Sequence, residues 1–433
     1  MDTHDKNNEM NFGEEMYALV ERLYPICRSI SGQGLRQTLE ILKERIPLEM
    51  HEVPSGTKVF DWVVPKEWNI KDAWAANSKG ERVIDFKKNN LHVVGYSVPV
   101  DIKIPLAELQ KHLYSLEGEP DAIPYVTSYY QENWGFCVTE NAHMALQDDT
   151  YHVHIGSELK EGSITYGEYV IPGRSKKEIL LSTYVCHPSL ANDNLSGPVV
   201  ATFLAKWLAL EPRRYTYRII FIPETIGALA YLARRLGHLK KYVIAGFNLT
   251  CMGDDRAYSY LPSRNGATRA DYAALYALTL LHPDFIRYSF LDRASDERQY
   301  CAPGVDLPVV SIMRSKYGTF PEYHTSHDDL SLVTPSGLYG GYEALRTAIE
   351  YIEKNTYYHT SVLGEPQLGK RGLYPNVSTA GTRAEIKAMM NILAYADGTR
   401  GIDDLSVAIK VSVDEMIPII ERLKKEGLLQ EDE

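Results

Sequence analysis

Residues 178–198 read EILLSTYVCHPSLANDNLSGP, and the rest of the chain is best understood outward from them. The apolar run 179–185 predicts a strand, which delivers Cys186-His187-Pro188 to one edge. Six residues beyond His187, within Asn192-Asp193-Asn194-Leu195-Ser196-Gly197, Asp193 adds a carboxylate, and Pro198 then sits where a first helical turn tolerates it. A second apolar run, 219–222, ends in Pro223-Glu224, and far downstream Glu322-Tyr323-His324-Thr325 supplies another imidazole. Two imidazoles and a carboxylate can hold zinc, while a spare Glu can take a proton from water.

On either side of this stretch the pattern keeps to one architecture. Strands predicted near 179–185, 217–222, 242–250 and 308–313 alternate with helices near 198–209, 227–236, 270–281 and 335–355, the mark of an α/β sheet covered by helices. In such folds chemistry gathers at the carboxyl ends of the strands, and His187, Asp193 and Glu224 all follow predicted strand ends. Upstream, 13–48 predicts two helices around the turn Ser31-Gly32-Gln33-Gly34. Residues 51–148 differ in texture, with short alternating segments broken by Pro and Gly, and predict an inserted β-rich domain. The catalytic domain is then discontinuous, 11–50 with 149–356. Beyond the connector 364–374, three helical segments and a short apolar end predict a winged-helix-like domain over 365–433.

The 433 residues carry 46 Lys and Arg against 57 Asp and Glu, a formal charge of −11, which leaves no footprint for nucleic acid or an anionic membrane surface. No stretch approaches the roughly 18 apolar residues of a membrane helix. The polar N-terminus and five scattered cysteines point to a reduced, cytoplasmic protein. From 381 to 433 there are seven basic and eleven acidic residues, so the tail reads as a packing or dimerisation element instead of a reader of DNA, with a homo-oligomer left open.

Taken singly, each site residue has a plain alternative: His187 a hydrogen-bonded strand-end residue, Asp193 a helix cap, Glu224 an ion-pair partner. Together they are harder to dismiss. Cys186 reads as a buried small hydrophobe, Cys251 as a less favoured thiolate ligand, and His327 as a rival to His324. His152 and His154 read as an exposed sheet face. Glu322, Asp328 and Asp329 could orient an imidazole, although a solvated loop is the simpler account of the last two. For substrate, Arg28, Arg298, Arg314 and Tyr323 are candidates, and Tyr129, Tyr130 and Trp134 could wall a lid; surface charge and aromatic core packing explain them as well.

The order of these pieces resembles the zinc aminopeptidase family of co-catalytic metallopeptidases over about residues 178–335. The resemblance implies His187 as first ligand, Asp193 as a bridging carboxylate, His324 in Tyr323-His324-Thr325 as last ligand, and Glu224 as general base. Two carboxylate ligands of that family fall on Thr225 and Thr250 here, and its His-X-Asp reads His187-Pro188-Ser189. The inserted domain and winged-helix tail make the layout similar to aminopeptidase-like proteins associated with bacterial polysaccharide-biosynthesis loci. The expectation is therefore a mononuclear zinc hydrolase of amide bonds, with one Zn per chain held by His187, Asp193 and His324, acting on a peptide or an N-acylated small molecule. The alternative is a degenerate relative that binds a ligand or partner without turnover.

Overall fold

The computed structural model describes residues 3–374 and 380–432. An eight-stranded sheet forms the centre, in the order Glu49–Pro54, Ser163–Ile171, Thr216–Ile222, Glu178–Tyr184, Val243–Leu249, Val309–Met313, Ser259–Leu261, Ile286–Arg287. The four strands from Thr216–Ile222 to Val309–Met313 run parallel, and antiparallel strands flank them. Every residue of Glu178–Tyr184 is buried, as a strand covered on both faces must be. Its side chains alternate: Ile179 and Leu181 join the core under the helices Ser196–Leu208, Arg269–Leu281 and Pro335–Lys354, whereas Leu180 and Tyr184 face the helix Ile226–Tyr242. The chain leaves Glu178–Tyr184 for a neighbour on one side and later returns to its other side, so the strand marks the switch point where a crevice opens.

The helices start where local chemistry tells them to. Thr268 and Asp271 form a reciprocal capping box ahead of Arg269–Leu281, and Thr334 caps Pro335–Lys354, which has Pro in its first turn. On the outer side of that long helix, Phe12 of the N-terminal helix sets its ring against Phe203 at 5.1 Å and Tyr342 at 4.9 Å.

The β-rich insert is built on a four-stranded sheet, Arg82–Asp85, Glu67–Ala76, Thr150–Lys160, Val100–Pro105. Its strand Thr150–Lys160 pairs with two neighbours and so carries the insert past residue 148. A bidentate ion pair from Arg36 to Glu67, 2.6 Å at its shorter contact, ties the insert to the preceding helix. At the other end of the chain, three helices, Ala380–Tyr395, Ile402–Ile409 and Val413–Lys425, cover a three-stranded sheet that starts with Tyr357–Thr360. The winged-helix module therefore begins ahead of residue 365, because its central strand continues directly from the long helix. It docks on the large domain through charged and polar links. Arg269 pairs with Asp432, Arg214 donates to the Asn355 carbonyl at 2.7 Å, and the Tyr351 hydroxyl donates to Asp404 at 2.5 Å. No helix among the described residues is long and apolar enough to cross a membrane.

Candidate metal centre and adjoining cavity

Beyond the end of Glu178–Tyr184 the chain makes two sharp adjustments. Ser189 has a φ of 44°, and the loop through Asp193 is buried before the helix Ser196–Leu208 begins. Gly197 is required there: a Cβ would come within 2.4 Å of the Leu249 carbonyl oxygen, so only glycine lets the helix start against the neighbouring strand. Thr225, Cys251 and His324 also have positive φ, at 60°, 51° and 57°. Four of the eight non-glycine residues in that region among the described residues thus fall in the segments that carry or adjoin the candidate site, where the surrounding fold holds backbone strain in place.

These adjustments bring His187, Asp193 and His324 together, with one donor atom from each lying within 4.8 Å of the others. His324 Nε2 is 3.0 Å from Asp193 Oδ2, yet it is buried without a hydrogen-bond partner among the described residues. A buried nitrogen of that kind, facing a carboxylate and a second imidazole, fits a zinc ion. Burial pushes the His187 imidazole down to about 4, leaving it neutral as a ligand must be. His187 and neighbouring His324 in turn hold the Asp193 carboxyl below its usual range, against the opposing effect of its burial. The His324 ring is stacked on Tyr323 at 3.9 Å and met edge-on by Tyr125 at 5.1 Å. The insert also reaches in directly, for Tyr125 donates its backbone N–H to the His324 carbonyl at 2.9 Å, and Pro124 bridges Thr325.

Glu224 stands outside that trio, with its Oε2 3.8 Å from His187 Nε2. Burial first, then the charges of Asp296 and Asp193, push its carboxyl well above the ordinary range. Its backbone N–H donates to Cys186 Sγ at 3.3 Å, so that buried thiol is a hydrogen-bond acceptor as well as packing. Glu224 also borders a cavity of about 240 Å³ whose walls include Trp62, Tyr129 and Tyr130 of the insert, together with Thr225 and Arg298.

The other candidates separate clearly. Arg28 is 1% exposed and donates to the His187 carbonyl at 3.0 Å and the Leu23 carbonyl at 2.6 Å, which makes it a brace behind the ligand instead of a substrate group. Arg314 is likewise buried, donating to the Ala257 carbonyl at 2.9 Å. His327 is exposed and outside the cluster. Cys251 is buried beside Met313 and Phe320, and burial raises its thiol well above the range in which a thiolate would form. His152 and His154 pair with Asp101 on the insert's sheet, and Trp134 stacks on His112 away from the cavity.

Tyr184 was not legible as a site residue, and Asp328 was legible only as one that could orient an imidazole, with a solvated loop the simpler account. The Tyr184 hydroxyl donates to Asp193 Oδ1 and lies 2.7 Å from Thr250 Oγ1, so one oxygen of that carboxylate is already engaged. Asp328, expected in a solvated loop, is fully buried instead. Its carboxylate accepts the backbone N–H groups of Asn192 at 2.6 Å and Asp193 at 2.8 Å, fixing the ligand loop from beneath. Burial drives the Asp328 carboxyl up to about 8 in spite of those bonds. A tyrosine ending an apolar strand was the available signal for the first; the second had none beyond its closeness to His324.

Residues 17–355 match the family described as Domain of unknown function, DUF4910, and residues 355–431 match a winged helix-turn-helix family. A protein of Clostridium acetobutylicum, provisionally named for polysaccharide biosynthesis with an aminopeptidase-like domain, is 48% identical over 401 residues, covering 92% of this chain and 92% of that one. The crystal structure of a provisionally named peptidase from Clostridium acetobutylicum superposes with a TM-score of 0.82 at 45% identity, covering 98% of both chains. BSAP, a zinc aminopeptidase from Bacillus subtilis, gives a TM-score of 0.57 at 12% identity, over 78% of this chain and 94% of its own, a likeness of fold.

Proposed function

Since the chain belongs to the DUF4910 family, and carries an aminopeptidase-like α/β fold with a C-terminal winged helix, we propose that it is a single-zinc hydrolase of amide bonds. The observation that carries this reading is the convergence of His187, Asp193 and His324 beside a separate carboxylate, Glu224. Zinc held by those three residues supplies Lewis acidity toward water and the amide carbonyl. Glu224 accepts the proton of the attacking water and returns it to the leaving amine. The buried setting that raises this carboxyl favours its holding the proton between the two transfers. Tyr184 and Asp328 keep Asp193 aimed at one ion, and Thr225 and Thr250 contribute no charge for a second.

The substrate is a peptide or an N-acylated small molecule, and the name of the Clostridium acetobutylicum relative favours a role beside polysaccharide synthesis. Five unpaired cysteines suit a reducing cytoplasm. The acidic tail, docked through Arg269 and Arg214, acts in packing and not in nucleic-acid binding. Elemental analysis of the purified protein, combined with a screen of aminoacyl and N-acyl amides, tests the reading. One zinc per chain with turnover is expected; bound metal with no turnover across the panel would favour a ligand-binding protein.

A further inference from the structure

The cavity beside Glu224 contains a cation that the hydrolytic steps do not use. Arg298 donates from Nη2 to Thr225 Oγ1 at 2.6 Å, which fixes one edge of its guanidinium. Among the described residues no carboxylate lies within ion-pair distance of this exposed guanidinium, although its charge is felt by Glu224 and Asp296, whereas Arg256 and Arg264 pair directly with Glu322 and Asp306. Four N–H donors of the planar fork are left, and their geometry matches a carboxylate. Its hydrogen-bond partner, the Thr225 hydroxyl, carries no charge, so no ion pair holds the rest of the fork.

The facing walls are aromatic. Trp62 and Tyr130 meet edge to face at 5.7 Å while staying 40% and 54% exposed, so they offer flat apolar surface and are not packed away in a core. The Tyr130 hydroxyl is anchored on the Val63 carbonyl at 3.1 Å, and the Tyr129 hydroxyl lies 3.0 Å from that of Tyr125, the residue braced against both metal-ligand imidazoles. A volume of about 240 Å³ compares with the ~150 Å³ that encloses a benzene molecule, which leaves room for one ring and a small charged group.

We infer that this cavity selects amides bearing a carboxylate, with the carboxylate on Arg298 and a ring or flat apolar group against the exposed faces of Trp62 and Tyr130. The inference rests on the hydrolase reading in taking Glu224 as the border with the reacting atoms. Two sources share this chemistry, N-acylated aromatic amino acids and acidic N-acyl sugars. The test is equilibrium binding to the zinc-loaded full chain, followed by calorimetry and tryptophan fluorescence, with two probe pairs: N-acetyl-L-phenylalanine and its methyl ester, N-acetylneuraminic acid and its methyl ester. At least one acid is expected to bind about tenfold or more tighter than its ester, the scale of one charge-assisted pair. Arg298→Met should erase that ratio, Arg298→Lys should keep part of it, and Trp62→Ala should weaken acid and ester alike with the ratio intact. Equal binding of acid and ester in the wild-type chain, or no binding of either acid at millimolar concentration, overturns the inference even if a variant misfolds. A purely structural Arg298 would change stability without moving the acid-to-ester ratio. Because binding is read without turnover, a protein that prefers the acids yet hydrolyses nothing refutes the hydrolase reading alone, and one that hydrolyses amides without preference refutes the pocket alone.

Discussion

The two ends of the strand Glu178–Tyr184 solve opposite problems. At its start, Arg218 makes a bidentate ion pair with Glu178, 2.7 and 2.8 Å, and a third contact with Glu168 at 2.5 Å, and His238 joins Glu178 at 2.7 Å. Nearly every donor and acceptor there is used, and Arg218 holds Glu178 below the usual carboxylate range despite burial. At its far end His324 Nε2 and Asp296 Oδ2 are buried and unpartnered among the described residues, and burial pushes Asp296 up to about 7. A closed polar cluster holds a sheet together, whereas an open one keeps its valences for something that arrives later.

The sharpest break in this comparison comes from the open end. His187→Ala and His324→Ala should each abolish stoichiometric zinc and all turnover, since three protein ligands leave no redundancy, as elemental analysis would show. Full zinc retention by the His324 variant would refute its role as a ligand. Glu224→Gln should keep zinc but slow hydrolysis by about 10²–10⁴-fold, the usual worth of a general base, measured as kcat/KM. Loss of metal in that variant would make Glu224 a ligand. At the closed end Arg218→Met should cost about 3–5 kcal/mol in denaturant unfolding, because it strands Glu168 and Glu178 as buried charges. Zinc per folded chain should not change; if it falls, the two ends are coupled. The smallest effect belongs to Asp328→Asn, which cannot accept both loop N–H groups: zinc affinity should weaken by about 10–100-fold in a chelator competition, with the ligands themselves intact.

Much of the closed architecture could be read from pattern alone. The strands and helices from 178 to 355 alternate with clear periods, and Ser196–Leu208, Ile226–Tyr242, Arg269–Leu281 and Pro335–Lys354 lie where apolar spacing and caps put them. The winged helix was readable for the same reason. The insert's edge was not, since Thr150–Lys160 looks like any strand until its two partners are known. In the site, His187, Asp193, Glu224 and His324 stood out because each is a polar residue next to a strand end or in a polar loop. Tyr184 was hidden inside an apolar run, where its ring explains it without its hydroxyl. Asp328 was hidden by its neighbours: His327-Asp328-Asp329 reads as solvated, and only the third dimension buries the middle residue. The cavity walls were beyond reach for a simpler reason, since Trp62 and Tyr130 are far from Glu224 in sequence and the insert brings them over it.

The bridge between Pro124 and Thr325 imposes an order of assembly. During synthesis the insert leaves the ribosome long before its partner segment, and at about 5–20 residues per second the delay between Tyr125 and His324 is roughly 10–40 s. Over the second half of that interval, once residue 224 has been made, the newborn chain holds His187, Asp193 and Glu224 but lacks His324 and the backbone contact that orients it. A chain released before that point carries two of the three candidate ligands, His187 and Asp193, and lacks the third.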